Sequence, residues 1–399
     1  MKVVMMGLGY IGLPTAALIA SKKINVLGVD INKDVCTIIN DGKIHIVEPD
    51  LDGLVHQVVN AGYFKASDTP DKADVYIIAV PTPFKENHDP DISYIENATN
   101  MILPLLEKGN LIILESTSPI KTTDKIAEQI FSSRPELSNN IYLAYCPERV
   151  LPGEVLHELV YNDRVIGGLN DESTDRAIEF YSIFVKGKLH KTNSRTAEMC
   201  KLVENAYRDV NIAFANELSM ISGAADINVG ELIELANKHP RVNILNPGPG
   251  VGGHCIAIDP WFVISDFKKE AKIIRCARDV NLSKTDWVLK KIQDTIGKFK
   301  NEKKGDPVIA CMGLSYKADI DDLRESPALQ ITSELKENGN KIVVVEPNID
   351  ELEGYEIVNH DEVYEVADII VFLVAHKEFK NMHSESKKII LDFCGVFQN

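Results

Sequence analysis

Short apolar runs separated by stretches of helical period occupy both ends of the chain, and a long run of period 3.6 lies between them. The runs at residues 2–7, 25–30, 74–80, 110–115 and 141–145 predict strands, and residues 11–21 predict a helix between the first two. Strands that alternate with helices predict parallel βαβ units. The last hundred residues repeat the pattern, with strands predicted at 307–313, 341–346, 368–374 and 387–393 and a helix at 326–338. Ala73-Asp74-Val75-Tyr76-Ile77-Ile78-Ala79-Val80 resembles Ala367-Asp368-Ile369-Ile370-Val371-Phe372-Leu373-Val374, which predicts two α/β domains of similar architecture.

In the middle, from Thr196 to about Ala225, there is no proline and the only glycine is Gly223. Apolar residues recur at Val203, Ala206/Tyr207, Val210 and Ala213/Phe214, and Asn193 or Ser194 stands where a cap belongs. Some 30 residues make roughly 45 Å of helix, enough to link two domains. A helix this long needs a packing partner, so a homodimer is expected.

Composition narrows the class. A chain of 399 residues exceeds one ordinary core, so two or three domains are expected. The formal charge of −16 argues against a nucleic-acid surface but leaves room for an anionic substrate held by local Arg and Lys. No apolar run is long enough to span a bilayer, and the first residues read as a strand rather than a leader, so no membrane partner and a cytoplasmic location are expected. Seven cysteines without CxxC spacing predict neither a disulfide framework nor a zinc cluster, so no metal is expected.

Gly7-Leu8-Gly9-Tyr10-Ile11-Gly12 is a GxGxxG, weak alone, but here it follows a strand, opens a helix and is followed by Asp30 at the end of the next strand. The glycines allow a tight turn and close approach to pyrophosphate, and the helix N-terminus offers amides and a positive dipole end. Asp30 would accept hydrogen bonds from ribose hydroxyls and repel a 2′-phosphate, which favours NAD over NADP. Thr82 and Thr117 follow predicted strands, on the sheet edge where ligands bind.

Candidate chemistry centres on Cys255, in Asn246-Pro247-Gly248-Pro249-Gly250-Val251-Gly252-Gly253-His254-Cys255, with Asp259 four residues on. Four glycines in six positions let backbone approach a ligand and leave a thiol poorly shielded. On spacing alone Cys255 reads equally well as a small packing residue. Lys201 and Asn205 project from one helix face, which fits a buried site or a solvated surface. Glu148-Arg149 directly follows a strand, and Lys317 and Arg324 stand near a helix start, where they would grip a pyrophosphate or merely line a charged loop.

Taken in order, GLGYIGLPTAA (7–17), DINK (30–33), IVEPDL (46–51), AVPTPF (79–84), ILESTSP (113–119), YCPERVLPG (145–153), NDRVIGG (162–168), residues 192–219, residues 239–262 and GLSYKADIDDLRESPA (313–328) resemble the UDP-glucose/GDP-mannose dehydrogenase family. The resemblance runs over nearly the whole chain. It implies two Rossmann-like parallel-sheet domains joined by a long central helix in a helical dimerisation domain. The expected divisions are an NAD-binding domain at 1–193, a helical domain at 194–298 and a UDP-binding domain at 299–399.

The same resemblance implies a four-electron oxidation of a UDP-linked N-acetylhexosamine, alcohol to aldehyde to acid, for bacterial surface polysaccharide. UDP-N-acetylmannosamine is the expected substrate; UDP-N-acetylglucosamine, UDP-glucose or a single-step 3-hydroxyacid chemistry are the alternatives. It makes Cys255 the nucleophile that forms a thiohemiacetal and then a thioester. Lys201 and Asn205 would stabilise the oxyanion, and Asp259, Glu148 and Thr117 would orient or activate water. Substrate contacts would come from Arg149, Val150, Lys201, Asn205, Arg208, His239, Arg241, Gly252, Tyr316 and Lys317. Cofactor contacts would come from Gly7, Gly9, Tyr10, Ile11, Gly12, Asp30, Thr82, Thr117 and Arg324. Residues 147–153 and 239–243 mark the N-acetylhexosamine branch of the resemblance. The tail, Gln398-Asn399, lacks a basic residue found in some relatives.

Overall fold

The computed structural model describes residues 1–85, 89–151, 153–303, 305–382 and 388–397. Contacts group the chain into two compact units, Met1–Glu204 with Trp261–Asp266, and Asn205–Pro260 with Phe267–Asn399.

The first unit is built on an eight-stranded sheet. Its strands are β1 (Lys2–Met6), β2 (Asn25–Val29), β3 (Phe64–Ser67), β4 (Val75–Ile78), β5 (Leu111–Leu114), β6 (Tyr142–Tyr145), β7 (Arg164–Gly168) and β8 (Leu189–Asn193). The order is β3-β2-β1-β4-β5-β6-β7-β8. β1 lies between two parallel neighbours, with Val3 opposite Val26 on one side and Val75 on the other. Alternate side chains of β1 enter different cores, Val3 and Met5 one, Val4 and Met6 the other. Both faces are therefore covered, as the unbroken apolar run requires.

One pairing departs from the all-parallel expectation. β6 and β7 run antiparallel, with Ala144 opposite Gly168. Three strands, β3, β7 and β8, lack a continuous apolar run and were not expected. β3 and β8 are the two edges, and β8 (Leu-His-Lys-Thr-Asn) keeps no residue fully buried. β7 holds a buried arginine, Arg164, and two glycines, a composition that strand preference disfavours.

The second unit carries a four-stranded parallel sheet, β9 (Val308–Met312), β10 (Lys341–Val345), β11 (Ile369–Phe372) and β12 (Ile389–Asp392), in the order β10-β9-β11-β12. The expected start of the last strand at Lys387, Pro152 of the 147–153 motif, and the tail residues Gln398 and Asn399 lie outside the described residues. The helix Pro327–Glu337 begins as expected, with Ser326 accepting the Leu329 amide.

The long helix is Ser194–Ala225, 32 residues, and Asn193 Oδ1 accepts the Thr196 amide at its start. A second helix of equal length, Lys272–Lys303, had not been expected. The first half of its buried face includes Arg278, Asn281, Lys284 and Thr285, and only the second half, with Val288, Ile292, Ile296 and Phe299, follows an apolar period. Within the second unit the first helix is inverted in the same way. Asp209, Asn216 and Ser219 are buried, whereas Tyr207, Phe214 and Ile221, seven apart and on the other side, are 70%, 56% and 55% exposed.

Candidate active site

In the first unit the chain leaves β1 at Gly7, whose φ is +92° and whose amide donates to Val29 O at 2.8 Å. A Cβ on Gly7 would stand 2.5 Å from Ala79 O, and one on Gly12 only 1.9 Å from Gly7 O, so neither position tolerates a side chain. At Gly9 an added Cβ meets nothing within 4 Å. The ten-residue helix Gly12–Ser21 opens after Ile11 with no side-chain cap, so no side chain takes up its first amides. An open turn and uncapped amides fit a dinucleotide pyrophosphate.

Asp30 braces this turn. Its Oδ2 accepts the Leu8 amide at 3.1 Å and its Oδ1 the Asn32 amide at 2.9 Å, and each oxygen keeps a further lone pair for a ribose hydroxyl. Tyr10 is 47% exposed beside the turn. Thr82 and Thr117 follow β4 and β5, both partly buried.

Glu148 follows β6, with Cys146 and Pro147 buried ahead of it. Burial pushes its carboxyl up to about 7, and the Lys201 and Arg164 charges pull the other way. It also accepts the Val150 amide, which closes the Glu148-Arg149-Val150 turn. Lys201 is buried at 7% exposure, which settles the choice between a solvated and a buried lysine. Arg149 is engaged by protein: it donates to Glu204 Oε2 at 3.1 Å, pairs with Glu204 Oε1 at 2.7 Å and donates to Asp163 O at 3.2 Å.

In the second unit Asn205 Nδ2 donates to Asp259 Oδ2 at 2.5 Å, and both residues are buried. Asp259 opens the helix Asp259–Asp266, and its amide donates to Cys255 O at 2.9 Å. Cys255 is itself exposed, one helical turn ahead of Asp259. Here the glycines also let other parts of the protein come close. A Cβ on Gly252 would lie 2.3 Å from Glu325 O, and one on Gly253, at φ +81°, would lie 2.7 Å from the Tyr316 ring. The Gly253 amide donates to Arg324 O at 3.3 Å. The loop thus lies along residues 316–327, and burial, then the Asp322 and Cys255 charges, raise the Tyr316 hydroxyl.

The remaining cationic candidates lie at the surface or in local pairs. Arg208, His239, Arg241 and Lys317 are exposed. Arg241 N donates to His239 Nδ1 at 3.3 Å, so those two belong to one turn. Arg324 forms a bidentate pair with Asp322, Nε to Oδ1 at 2.9 Å and Nη2 to Oδ2 at 2.6 Å.

The turn after β9 copies the one after β1. Gly313 has φ +85° and donates to Val345 O at 2.8 Å, and Leu314 N donates to Glu346 Oε2 at 2.7 Å. Glu346 therefore stands where Asp30 does, with different company. Its Oε2 also takes the Ser315 amide and lies 3.2 Å from His376 Nε2, and its Oε1 takes the Asn348 amide. Burial opposes that charge, but these donors hold the carboxyl down at about 2.

A buried cluster behind Glu148 escaped the sequence reading. Glu115, directly after β5, accepts the Tyr181 hydroxyl at 2.5 Å and lies 3.9 Å from Arg164 Nη1, which reaches Cys146 Sγ at 3.8 Å. The signal available was a charged residue at the end of each of two strands, Glu115 after Leu111–Leu114 and Arg164 at the head of Arg164–Gly168.

A mainly parallel sheet and a parallel one, each with a glycine turn and one of them fitted to a dinucleotide, define an NAD-binding α/β protein. Domain patterns of one family match in sequence along the chain: an NAD binding domain over residues 1–185, a central domain over 195–283 and a UDP binding domain over 310–399. The chain belongs to the UDP-glucose/GDP-mannose dehydrogenase family, NAD-dependent dehydrogenases of nucleotide sugars. It is 54% identical to a UDP-N-acetyl-D-mannosamine dehydrogenase of Campylobacter jejuni, over 98% of this chain and 99% of that one. It is 50% identical to an NDP-N-acetyl-D-galactosaminuronic acid dehydrogenase of Ralstonia nicotianae, over 98% of this chain and 95% of the relative. Among solved structures, a UDP-D-ManNAc dehydrogenase from Pyrococcus horikoshii superposes with a TM-score of 0.87 at 38% identity, covering 99% of this chain and 96% of that one.

Proposed function

We propose that this chain oxidises the 6-hydroxyl of UDP-N-acetyl-D-mannosamine to the carboxylate in two NAD-dependent steps, with Cys255 as the covalent nucleophile. The observation that carries the reading is the exposed thiol of Cys255 one turn ahead of Asp259, itself bonded to the Asn205 amide. NAD, when bound, accepts a hydride in each oxidation. Gly7, Gly9 and Gly12 would cradle it, and Asp30 would take its ribose. Cys255 Sγ adds to the aldehyde carbon, giving a thiohemiacetal whose oxidation leaves a thioester. The Lys201 amine takes the alcohol proton in the first oxidation, and as the ammonium it then stabilises, with the Asn205 amide, the oxygen that becomes negative. Glu148, with its carboxyl near neutrality, takes a proton from the water that hydrolyses the thioester, while Asp259 and Thr117 orient that water. Arg149, Val150, Arg208, His239, Arg241, Gly252, Tyr316 and Lys317 are the substrate contacts in this reading, and Arg324 is a cofactor contact.

The relative named for a galactosaminuronic acid makes the galacto-configured hexosamine the second reading, since 50% identity stands close to 54%. The test is NADH yield on UDP-N-acetylmannosamine, UDP-N-acetylgalactosamine, UDP-N-acetylglucosamine and UDP-glucose. Two NADH per sugar with the highest kcat/KM on the manno epimer is the expected result. One NADH per sugar, or a preference for another epimer, overturns it.

The same proposal includes a homodimer that covers the outward stripe of Tyr207, Phe214 and Ile221, because three large apolar side chains in register on one helix face invite a second chain. Light scattering at micromolar concentration should give twice the chain mass, and a monomeric mass rejects the dimer. A cytoplasmic enzyme feeding surface polysaccharide is part of this reading; among the described residues no helix is long and apolar enough to cross a membrane.

A further inference from the structure

A line of buried polar side chains runs between the two long helices of the second unit and ends on the loop that carries Cys255. Arg278 Nη1 donates to Asp209 Oδ1 at 2.7 Å, and Asn281 Nδ2 donates to the same oxygen at 2.8 Å. Asn216 Nδ2 donates to Asn281 Oδ1 at 2.9 Å. The Gly248 amide then donates to Asn216 Oδ1 at 2.9 Å. In Pro247-Gly248-Pro249 only Gly248 owns an N–H, so Asn216 takes the one main-chain donor this rigid segment has.

Every amide in the line points its donor toward the Asp209 carboxylate. Turning one of them over would set oxygen against oxygen or nitrogen against nitrogen, so the orientation is fixed along the whole line. A second tether lies one residue on, where Thr285 Oγ1 donates to Pro249 O at 3.0 Å. A Cβ on Gly250 would stand 2.5 Å from that hydroxyl oxygen, so the loop runs hard against the helix. At its far end the Gly253 amide is held by Arg324 O.

We propose that Asn216 is a positioning residue for the nucleophile: it fixes Gly248 and, through the loop clamped from Gly248 to Gly253, the place of Cys255. The proposal rests on the reading of Cys255 as the nucleophile. A sulfur that must meet an aldehyde carbon at near-contact distance is sensitive to small displacements, and about 1 Å of misplacement costs on the order of 10²-fold in rate.

The test uses the full chain with Asn216→Asp, which keeps shape and the acceptor for Gly248 but sets an oxygen against Asn281 Oδ1. Steady-state kinetics on UDP-N-acetylmannosamine are measured together with carbamidomethylation of Cys255 by iodoacetamide, followed by peptide mass spectrometry, with the exposed Cys276 as internal reference. The expected result is a kcat lower by about tenfold or more with KM for NAD within about twofold. The Cys255 alkylation rate should change while that of Cys276 does not. A variant with wild-type melting temperature, kcat within about twofold and unchanged Cys255 alkylation overturns the proposal. Should Asn216→Asp fail to fold, Thr285→Val, which removes only the second tether, decides by the same readouts. Cys255→Ser run in parallel separates the two ideas. If that variant still gives two NADH per sugar, the nucleophile reading fails. If it is silent while Asn216→Asp is fully active, the positioning role alone fails.

Discussion

Cys255→Ser is expected to lower carboxylate formation by on the order of 10³-fold or more, and to leave at most one NADH per sugar where the parent gives two. Serine preserves shape, so the loop from Gly248 to Gly253 and the turn to Asp259 should be undisturbed. What changes is the nucleophile. A thiol near pH 8 carries an appreciable thiolate fraction, whereas a serine hydroxyl has almost no alkoxide at that pH. Without the covalent adduct an aldehyde has no tetrahedral carbon from which hydride can leave, so the second oxidation stalls first. The measurement is NADH yield and product mass over a time course at saturating UDP-N-acetylmannosamine. Two NADH per sugar from the variant would end the covalent mechanism, whatever its rate. Other thiols make poor substitutes: Cys36, Cys146 and Cys311 are buried, and burial pushes the Cys311 thiol up to about 11.

The parts of this protein that were legible in the sequence are those where one residue type answers one geometric demand. Gly7 and Gly12 could be read because no side chain fits there. The doubly covered strands were legible for the same reason: Val3 to Met6 are apolar on both faces because both faces are packed. The similar architecture of the two ends was visible in the Ala73 and Ala367 runs, and the structure adds matching hydrogen bonds at the turns of Gly7 and Gly313.

What stayed hidden is polar. β8 has no apolar face to announce it, and the helix Lys272–Lys303 buries Arg278, Asn281 and Lys284 where a periodicity search expects leucine. The loop glycines carry a further demand that the sequence did not specify. Gly250, Gly252 and Gly253 approach Thr285, Glu325 and Tyr316. A glycine signals that backbone comes near something; it does not say what. Arg149 carries a similar lesson, since its pairing with Glu204 joins residues 55 apart in sequence. The inverted long helix combines both effects. Its apolar period was read from the sequence, yet Tyr207 and Phe214 face outward while Asp209 and Asn216 face the protein.

Two buried cations on the same helix should respond in opposite directions when they are removed. Arg278 is 3% exposed and bonded to the fully buried Asp209 carboxylate at 2.7 Å. Arg278→Met leaves that carboxylate uncompensated, and the unfolding free energy should fall by about 3–5 kcal/mol in a denaturant titration. Lys284 is 1% exposed, its Nζ donates to Ser219 Oγ at 2.6 Å and lies 4.1 Å from the Trp287 ring centre, and no salt bridge to a carboxylate within 4 Å is found for it among the described residues. Burial lowers its ammonium from 10.5 to about 7. A lysine with a depressed folded-state value works against folding wherever the unfolded chain holds the proton and the folded chain gives it up or keeps it unwillingly. That penalty is complete below about pH 7 and fades as pH rises toward the unfolded value near 10.5. Lys284→Met should therefore stabilise the protein by about 1–4 kcal/mol near pH 7, a gain that shrinks by pH 10. The size falls short of the full shift because the serine bond and the aromatic face are lost with the amine. The two variants are compared by chemical unfolding at pH 7 and at pH 9.5. A destabilised Lys284→Met at both pH values would mean that the amine is held by more than Ser219 and Trp287, and a neutral Arg278→Met would mean that Asp209 takes up a proton without cost.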